Sequence, residues 1–370
     1  MAESFLTLVF AGDLVLDEPD PGKWLSGIAP ALRGADLAIG HLEVPHTDCA
    51  NEVGDDVPSP GAPPGNLAAL ADAGFAVVSL AGNHIADCGA QGIADTIAGL
   101  DALGIAHAGA GPDLAAARRP AFVSAGGRTV ALLSYNCVGP RFGWAAQGKA
   151  GCAYLPLITA DGGPVTPRSE IAAIAPEAYA ILAEDIAAAR SEADLVLVAM
   201  HKGRVHTPAV LEAYERPLAQ AAIDFGAVAV VGHHAHIARG IEFHRGKPIF
   251  HGLGNGCVVT RALSPEQDHP ARREWAEQRK KLFGFEPDPE YYLAPFHPEA
   301  RQAMLGRIAI APELTVSASI VPVWVEPPGR PVLAFGERAN QVSRYLERIT
   351  EDAGLHPISV SGAGQVTLAA

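Results

Sequence analysis

Five apolar runs in this chain each close on side chains that bind cations or move protons. They are TLVFAGD at Asp13, DLAIGHLE at Glu43, VVSLAGNHIAD with Asn83, His84 and Asp87, LVLVAMH at His201, and VAVVGHHAH with His233, His234 and His236. Carboxylate, amide and imidazole groups are the ligands that divalent metals take from proteins. A single histidine at the end of such a run reads as a hydrogen-bonded core or turn residue. Five runs with the same ending read as one shared divalent-cation site.

Near-continuous Val, Ile, Leu and Ala runs are the mark of parallel strands buried on both faces. Open α/β sheets carry their ligands beyond the carboxyl ends of such strands, where these polar residues stand. Up to residue 135 the strand-like runs alternate with Ala/Leu-rich helical stretches, and a second set follows: helix 176–189, strand 195–199, helix 208–225 and strand 228–231. The pattern predicts an α/β fold. Two Gly/Pro-rich or aromatic stretches, 138–176 and 261–299, read as irregular insertions over the site. The second holds Trp275, Phe283, Phe285, Tyr291, Tyr292 and Phe296, a set suited to a lid or pocket wall. Within it, 272–281 has helical spacing and mixed charge and reads as a solvated helix face.

Composition narrows the function classes. The chain has 370 residues, 49% of them hydrophobic, and a formal charge of −14; its mean hydropathy is +0.15. Such a chain can bury a large core, while binding to a nucleic-acid backbone would require clustered Lys and Arg. No run of 18 apolar residues occurs, and the first residues lack a basic segment and a small-residue cleavage site. The expectation is a cytoplasmic protein without nucleic-acid or membrane partners. Five cysteines without a CxxC pair argue against a disulfide framework or a zinc knuckle. The stretch GAGPDLAAARRP, from Gly109, lacks the third glycine and the Lys-Ser/Thr pair of a phosphate-cradling loop, so no organic cofactor is expected.

The order GD, LE, GNHxxD, strand-end His, GHHxH and LGN resembles the CapA family, named for poly-γ-glutamate capsule synthesis, within the metallophosphatase (calcineurin-like) fold. The resemblance runs from about Leu8 to Asn255 and includes the long stretches GFAVVSLAGNHIADCGAQGIADTIAGLDALGIAHAGAG and GAVAVVGHHAHIARGIEFHRGKPIFHGLGN. It implies a layered α/β sandwich, two central sheets flanked by helices, as a single domain over 1–370. It also implies a metal site of Asp13, Glu43, Asn83, His201, His234 and His236, with His84 and Asp87 as an acid/base pair. In GHHAH, His234 and His236 would share one side of an extended segment while His233 points elsewhere.

The chain departs from the family in two places. HKGRVH puts Lys202 and Val205 where the family has the Trp and Glu of Trp-Gly-x-Glu, and Asp13 is not followed by the His of Asp-x-His. One divalent cation is therefore expected in place of a two-metal cluster, calcium first, with manganese or zinc as alternatives.

Soluble CapA-like proteins of lasso-peptide pathways are peptide epimerases. The resemblance thus implies epimerisation at the Cα of a C-terminal residue of a ribosomal precursor peptide, with metal-dependent hydrolysis of a phosphoester or amide as the alternative. Epimerisation needs a base on one face of the Cα and an acid on the other. His84 with Asp87 supplies one, and His297, paired with Asp13, is the expected second, with His206 its competitor. Arg204, Arg239 or Lys202 would hold the peptide carboxylate.

Overall fold

The strand Leu6–Leu16 shows how the sheets are layered, because its side chains alternate between two cores. Leu6, Leu8 and Phe10 enter the core between the sheets, whereas Val9, Ala11, Leu14 and Leu16 enter a second core against helices. Every residue of this strand except Thr7 is buried, which explains a run with no polar face. In this computed structural model, which describes residues 5–50, 59–263 and 270–369, the strand is central to a ten-stranded sheet. Parallel neighbours Leu37–Leu42, Phe75–Ser79 and Ala106–Ala108 lie to one side, and antiparallel Gln302–Ile310 and Val316–Glu326 to the other.

A six-stranded sheet packs on the first. In it Arg128–Asn136, Leu195–His201 and Ala229–His233 run parallel. Leu132, Leu197 and Val231 face the first sheet, and Leu133, Val196, Val198 and Val230 face the helices Pro176–Arg190 and Glu215–Phe225. On the far side of the first sheet lies the helix Gly89–Ala102. The fold is therefore mixed α/β, two sheets face to face with helices outside both.

Four expectations change. The first strand does not end at Asp13 but runs on to Leu16, with register shifts on both sides of Asp13. Its antiparallel partner stops at Phe10 and the parallel strand Asn255–Val259 takes over from Asp13. The backbone crossing is so close that a Cβ on Gly12 would lie 1.8 Å from Gly254 O, so only glycine fits before Asp13. The helix expected at 208–225 begins only at Glu215, because Ala209 has a φ of 54° and the chain before it is held in a loop.

The segment 138–176 is not wholly irregular, since Leu157–Thr159 and Ile171–Ile174 pair as an antiparallel ribbon. In 261–299, of which 264–269 lie outside the described residues, the stretch read as a helix face belongs to the helix Pro270–Phe283. Its basic stretch is not simply solvated, for Arg272 is buried. Among the described residues no helix is long and apolar enough to cross a membrane.

Candidate metal centre and cavity

Two rows of side chains face each other at the carboxyl ends of the parallel strands. In the first sheet, strand register aligns Asn255, Asp13, His41 and Ser79; in the second it aligns Asn136, His201 and His233. In-register residues of neighbouring strands stand side by side, so pairing alone brings Asp13 beside His41 and His201 beside His233. Glu43 follows the second strand directly, and the loops after Ser79 and His233 bring Asn83, His234 and His236.

The distances describe one nest. His201 Nε2 is 2.7 Å from Asn83 Oδ1, 3.1 Å from His234 Nδ1 and 3.9 Å from Glu43 Oε1. His236 places Nε2 3.4 Å from Glu43 Oε1 and Nδ1 3.6 Å from Asp13 Oδ2 and 2.9 Å from Asn255 Oδ1. The His234 N–H points at both Asp13 oxygens, each at 3.3 Å. The structure thus brings Asp13, Glu43, Asn83, His201, His234 and His236 together across both sheets.

The segment carrying His234 and His236 is not extended, contrary to the expectation from GHHAH. Both residues take positive φ, 87° and 52°, a conformation uncommon outside glycine and one that tight binding sites retain. His233 does not point away either, since its Nδ1 is 3.6 Å from Asp13 Oδ1.

The nest fits a cation. Both oxygens of buried Glu43, and His41 Nε2, His201 Nδ1, His233 Nδ1 and His234 Nε2, have no hydrogen-bond partner among the described residues. A buried carboxylate and several imidazoles left in that state are costly unless something positive sits among them. Burial keeps the imidazoles neutral, as ligands must be: His41 is pushed down to about 4, His234 to about 3, and His201 well below its usual value. His236 goes the other way, because the carboxylates of Glu43 and Asp13 and its contact with Asn255 outweigh burial and lift it to about 9, so that as a ligand it would have to give up its proton to the ion. Asp13 is raised by burial and by neighbouring Glu43, while Glu43, although buried, is held low chiefly by His236. Three overlapping sets could hold an ion: Asp13 with His41 and His201, Glu43 with His201 and His234, and Asp13 with Glu43 and His236.

His41 was missed by sequence reasoning, and His233 was named but set aside as pointing elsewhere. The signal for His41 was its spacing of two from Glu43, which on a strand brings side chains to one face.

Beside the nest opens a cavity of about 730 Å³. Glu43, Asn83, His84, His234 and His236 form its floor, and Arg168, Arg204, Arg272, Trp275, Phe283 and Phe296 contribute to its walls. Both insertions therefore wall the site. His84 stands at the join between floor and wall. Its Nδ1 is 2.7 Å from Asp87 Oδ2, and its Nε2 is 3.0 Å from Asn83 Nδ2. Since Asn83 Oδ1 faces His201, its NH₂ group donates to His84 Nε2, which leaves the proton of neutral His84 on Nδ1, toward Asp87.

His297 is not brought into this cavity. It caps the short helix Pro298–Arg301, its Nδ1 accepting the Glu299 N–H at 3.1 Å, and it lines a separate small pocket with Asp288 and Arg301. No Asp13–His297 pair forms among the contacts of Asp13. Its competitor His206 does line the cavity, edge-on to Phe283 at 4.9 Å and stacked toward His236 at 6.1 Å. Of the residues proposed to hold a carboxylate, Arg204 faces the cavity. Lys202 does not, being buried with Nζ 2.7 Å from Glu215 Oε2 and 3.1 Å from His251 O. Arg239 is also buried, with Nη2 donating to Arg204 O and, at 2.9 Å, to Thr207 Oγ1.

Residues 7–258 match the family described as bacterial capsule synthesis protein PGA_cap, more than half of the chain. The chain belongs to this family. Among PGA_cap-like relatives, a "probable polyglutamine synthesis accessory protein" of Mycobacterium tuberculosis is 34% identical over 199 residues, covering 52% of this chain and 47% of its own length. The PGA biosynthesis protein CapA of Bacillus subtilis is 28% identical over 264 residues, covering 69% of this chain and 63% of its own. The chain thus spans about half the length of the mycobacterial relative it matches. Among solved structures, the calcineurin-like phosphoesterase YfkN of Bacillus subtilis aligns over 95% of this chain and 99% of that one, at 10% identity and a TM-score of 0.39.

Proposed function

We propose that this PGA_cap-family chain is a metal-dependent enzyme that carries out acid/base chemistry on a peptide in the cavity, epimerising the Cα of the C-terminal residue of a lasso-type ribosomal precursor. The observation that carries the reading is that two imidazoles, His84 and His206, line one cavity beside the nest, and that His84 is oriented by a carboxylate.

Removal of a Cα proton needs a base whose protonated form is stabilised, and return from the other face needs a second group. With its proton on Nδ1 toward Asp87, His84 has Nε2 as its basic atom, which takes the Cα proton once the Asn83 amide releases it, and Asp87 stabilises the imidazolium that results. His206 takes the second role in place of His297 because it belongs to the cavity wall. Arg168, Arg204 and Arg272 offer guanidinium groups for the terminal carboxylate, and the aromatic wall receives the apolar part of the peptide.

Asp13, Glu43, Asn83, His201, His234 and His236 would hold the cation, which supplies charge stabilisation to the substrate carbonyl as the Cα proton leaves. Calcium is coordinated by oxygens, whereas a set with three imidazoles suits manganese, iron or zinc. We therefore favour a transition metal over calcium.

A second reading, hydrolysis of an amide or phosphoester, is supported by the same nest, since a cation held by imidazoles and carboxylates also polarises a scissile group. Incubation of the metal-loaded protein with precursor peptides in heavy water separates the two. Epimerisation adds one deuteron per inverted centre at unchanged peptide length and stops in His84→Gln. A shortened peptide or released phosphate would replace this reading with hydrolysis.

A further inference from the structure

Three arginines reach the cavity, and two of them already face carboxylates of this chain. Arg204 Nη2 lies 3.1 Å from Glu212 Oε1, and Arg272 is buried in the wall, where its charge acts on the Asp17 carboxylate. Arg168 differs. It lines the same cavity, but among the described residues no carboxylate pairs with its guanidinium, not even Glu170 two positions on. Resting on the reading of the cavity as a peptide site, we propose that Arg168 is a specificity-determining residue that pairs with the substrate's α-carboxylate, so that the enzyme accepts peptides with a free C-terminus and rejects those whose end is amidated or extended.

Local sequence holds the guanidinium in place before any substrate arrives. Thr166-Pro167-Arg168-Ser169 forms a turn closed by the Ser169 N–H, which donates to Thr166 O at 3.0 Å, and Pro167 occupies the position whose fixed φ favours such turns. The Thr166 N–H also donates to Ser169 Oγ at 2.9 Å, and the Arg168 N–H to Thr166 Oγ1 at 3.3 Å. Arg168 thus stands at the tip of a braced turn. Its guanidinium lies over the Trp275 ring, 5.2 Å from the centre. Contact with an aromatic face uses the flat of a guanidinium and leaves the N–H groups along its edge, a fork that matches the two oxygens of a carboxylate.

The plain alternative is a solvated surface arginine, since Arg168 is exposed. Such a side chain samples many rotamers, and confining it costs entropy. Here the turn and the indole restrict it beside a cavity, which reduces what a bound carboxylate must still order. A terminal amide would turn N–H donors toward the guanidinium donors, and an extended chain would offer a neutral carbonyl in place of two charged oxygens. The other alternative puts the α-carboxylate on the cation of the nest, an arrangement that needs no arginine.

Selective retention of peptides tests the proposal without an activity assay. Two pools of synthetic hexapeptides of randomised sequence, one of free acids and one of C-terminal amides, are passed over immobilised, metal-loaded protein, and the retained peptides are quantified by mass spectrometry. Wild type should retain free acids about tenfold over amides, the scale of a charge-assisted bidentate contact. Arg168→Gln should abolish that preference by losing the acids and not the amides, Arg168→Lys should restore part of it by returning the charge without the fork, and Arg204→Gln should keep it. Equal retention of the two pools by wild type, or a preference that survives Arg168→Gln, overturns the proposal and leaves the cavity a peptide site; the second result would put the carboxylate on the cation. Retention of neither pool overturns the peptide reading and the proposal together.

Discussion

A single oxygen of Asp87 ties His84 to the cavity rim: Oδ2 lies 2.7 Å from His84 Nδ1 and accepts the Ser59 backbone N–H at 2.6 Å. The ring is thereby fixed in one tautomer on a loop whose start is bonded to the second sheet, the Ala81 N–H donating to Ser134 Oγ and Gly82 O accepting from Asn136 Nδ2. On the other nitrogen, Asn83 joins His84 to His201 through the two ends of one amide, so proton-transfer group and nest share a positioning residue.

Replacing Asp87 with Asn should therefore reduce turnover far more than it reduces stability. The amide can still meet one ring nitrogen but cannot stabilise an imidazolium, and losses of general acid/base assistance run to about 10²–10⁴-fold. Metal content should stay at the wild-type level because Asp87 belongs to none of the ligand sets. Turnover and metal content measured on one preparation check this; a parallel loss of metal would make Asp87 a prop of the nest instead.

Lys202 stands where the resemblance led us to expect Trp, and it forms a buried ion pair with Glu215 at 2.7 Å. Its sequence neighbour His201 enters the nest, so the pair anchors that strand end from behind. Changing Lys202 to Met should destabilise the fold by about 3–5 kcal/mol, because Glu215 is left charged and buried. Adding Glu215→Leu should recover most of the loss, though not all, since Glu215 Oε1 also accepts the Glu212 N–H at 2.8 Å. Denaturant melts of the single and double variants measure both terms.

Acid should weaken the fold through buried histidines that belong to none of the ligand sets. Burial pushes His46 down to about 4, and His251 to about 4 through burial and adjacent Lys202. In the unfolded chain both titrate near 6.5, so between there and pH 4 the unfolded state binds more protons and stability falls as pH falls. Each group contributes on the order of 1–3 kcal/mol across that window, fully present above pH 6.5. His46→Gln should flatten the decline between pH 6.5 and 4 in urea melts, whereas an unchanged slope would mean that His46 is not held neutral.

The layered α/β architecture was legible because the strand runs are apolar on both faces, and Leu6–Leu16 alone announces two cores. The chelating residues were legible because sheet geometry sends strand ends to one edge. What sequence could not supply was the side to which loop residues turn. Phe296 and His297 are neighbours, yet Phe296 walls the cavity while His297 caps a helix, a choice made by the proline that follows and by the Glu299 N–H. Nor could it show that Lys202 would be neutralised by Glu215, which spacing had assigned to the middle of a helix and which in fact begins it. His41 stands outside the motif positions, although strand pairing makes it the neighbour of Asp13.

Over the cavity the two insertions touch, the Arg168 guanidinium lying 5.2 Å from the centre of the Trp275 ring. Arg168 is exposed and belongs to the segment before the helix Pro176–Arg190, while Trp275 is on the helix Pro270–Phe283, so this contact joins two walls that strand pairing does not connect. An exposed cation–π pair contributes only about 0.5–1 kcal/mol, so Trp275→Ala should leave global stability nearly unchanged. It should nevertheless open the wall against which substrate packs and release Arg168 from a fixed orientation. The expected result is a KM raised about tenfold with kcat within about twofold, the signature of lost binding that is equal in ground and transition states. A fall in kcat at constant KM would show instead that Trp275 acts on the reacting centre, and would move the chemistry from the nest toward the helix wall.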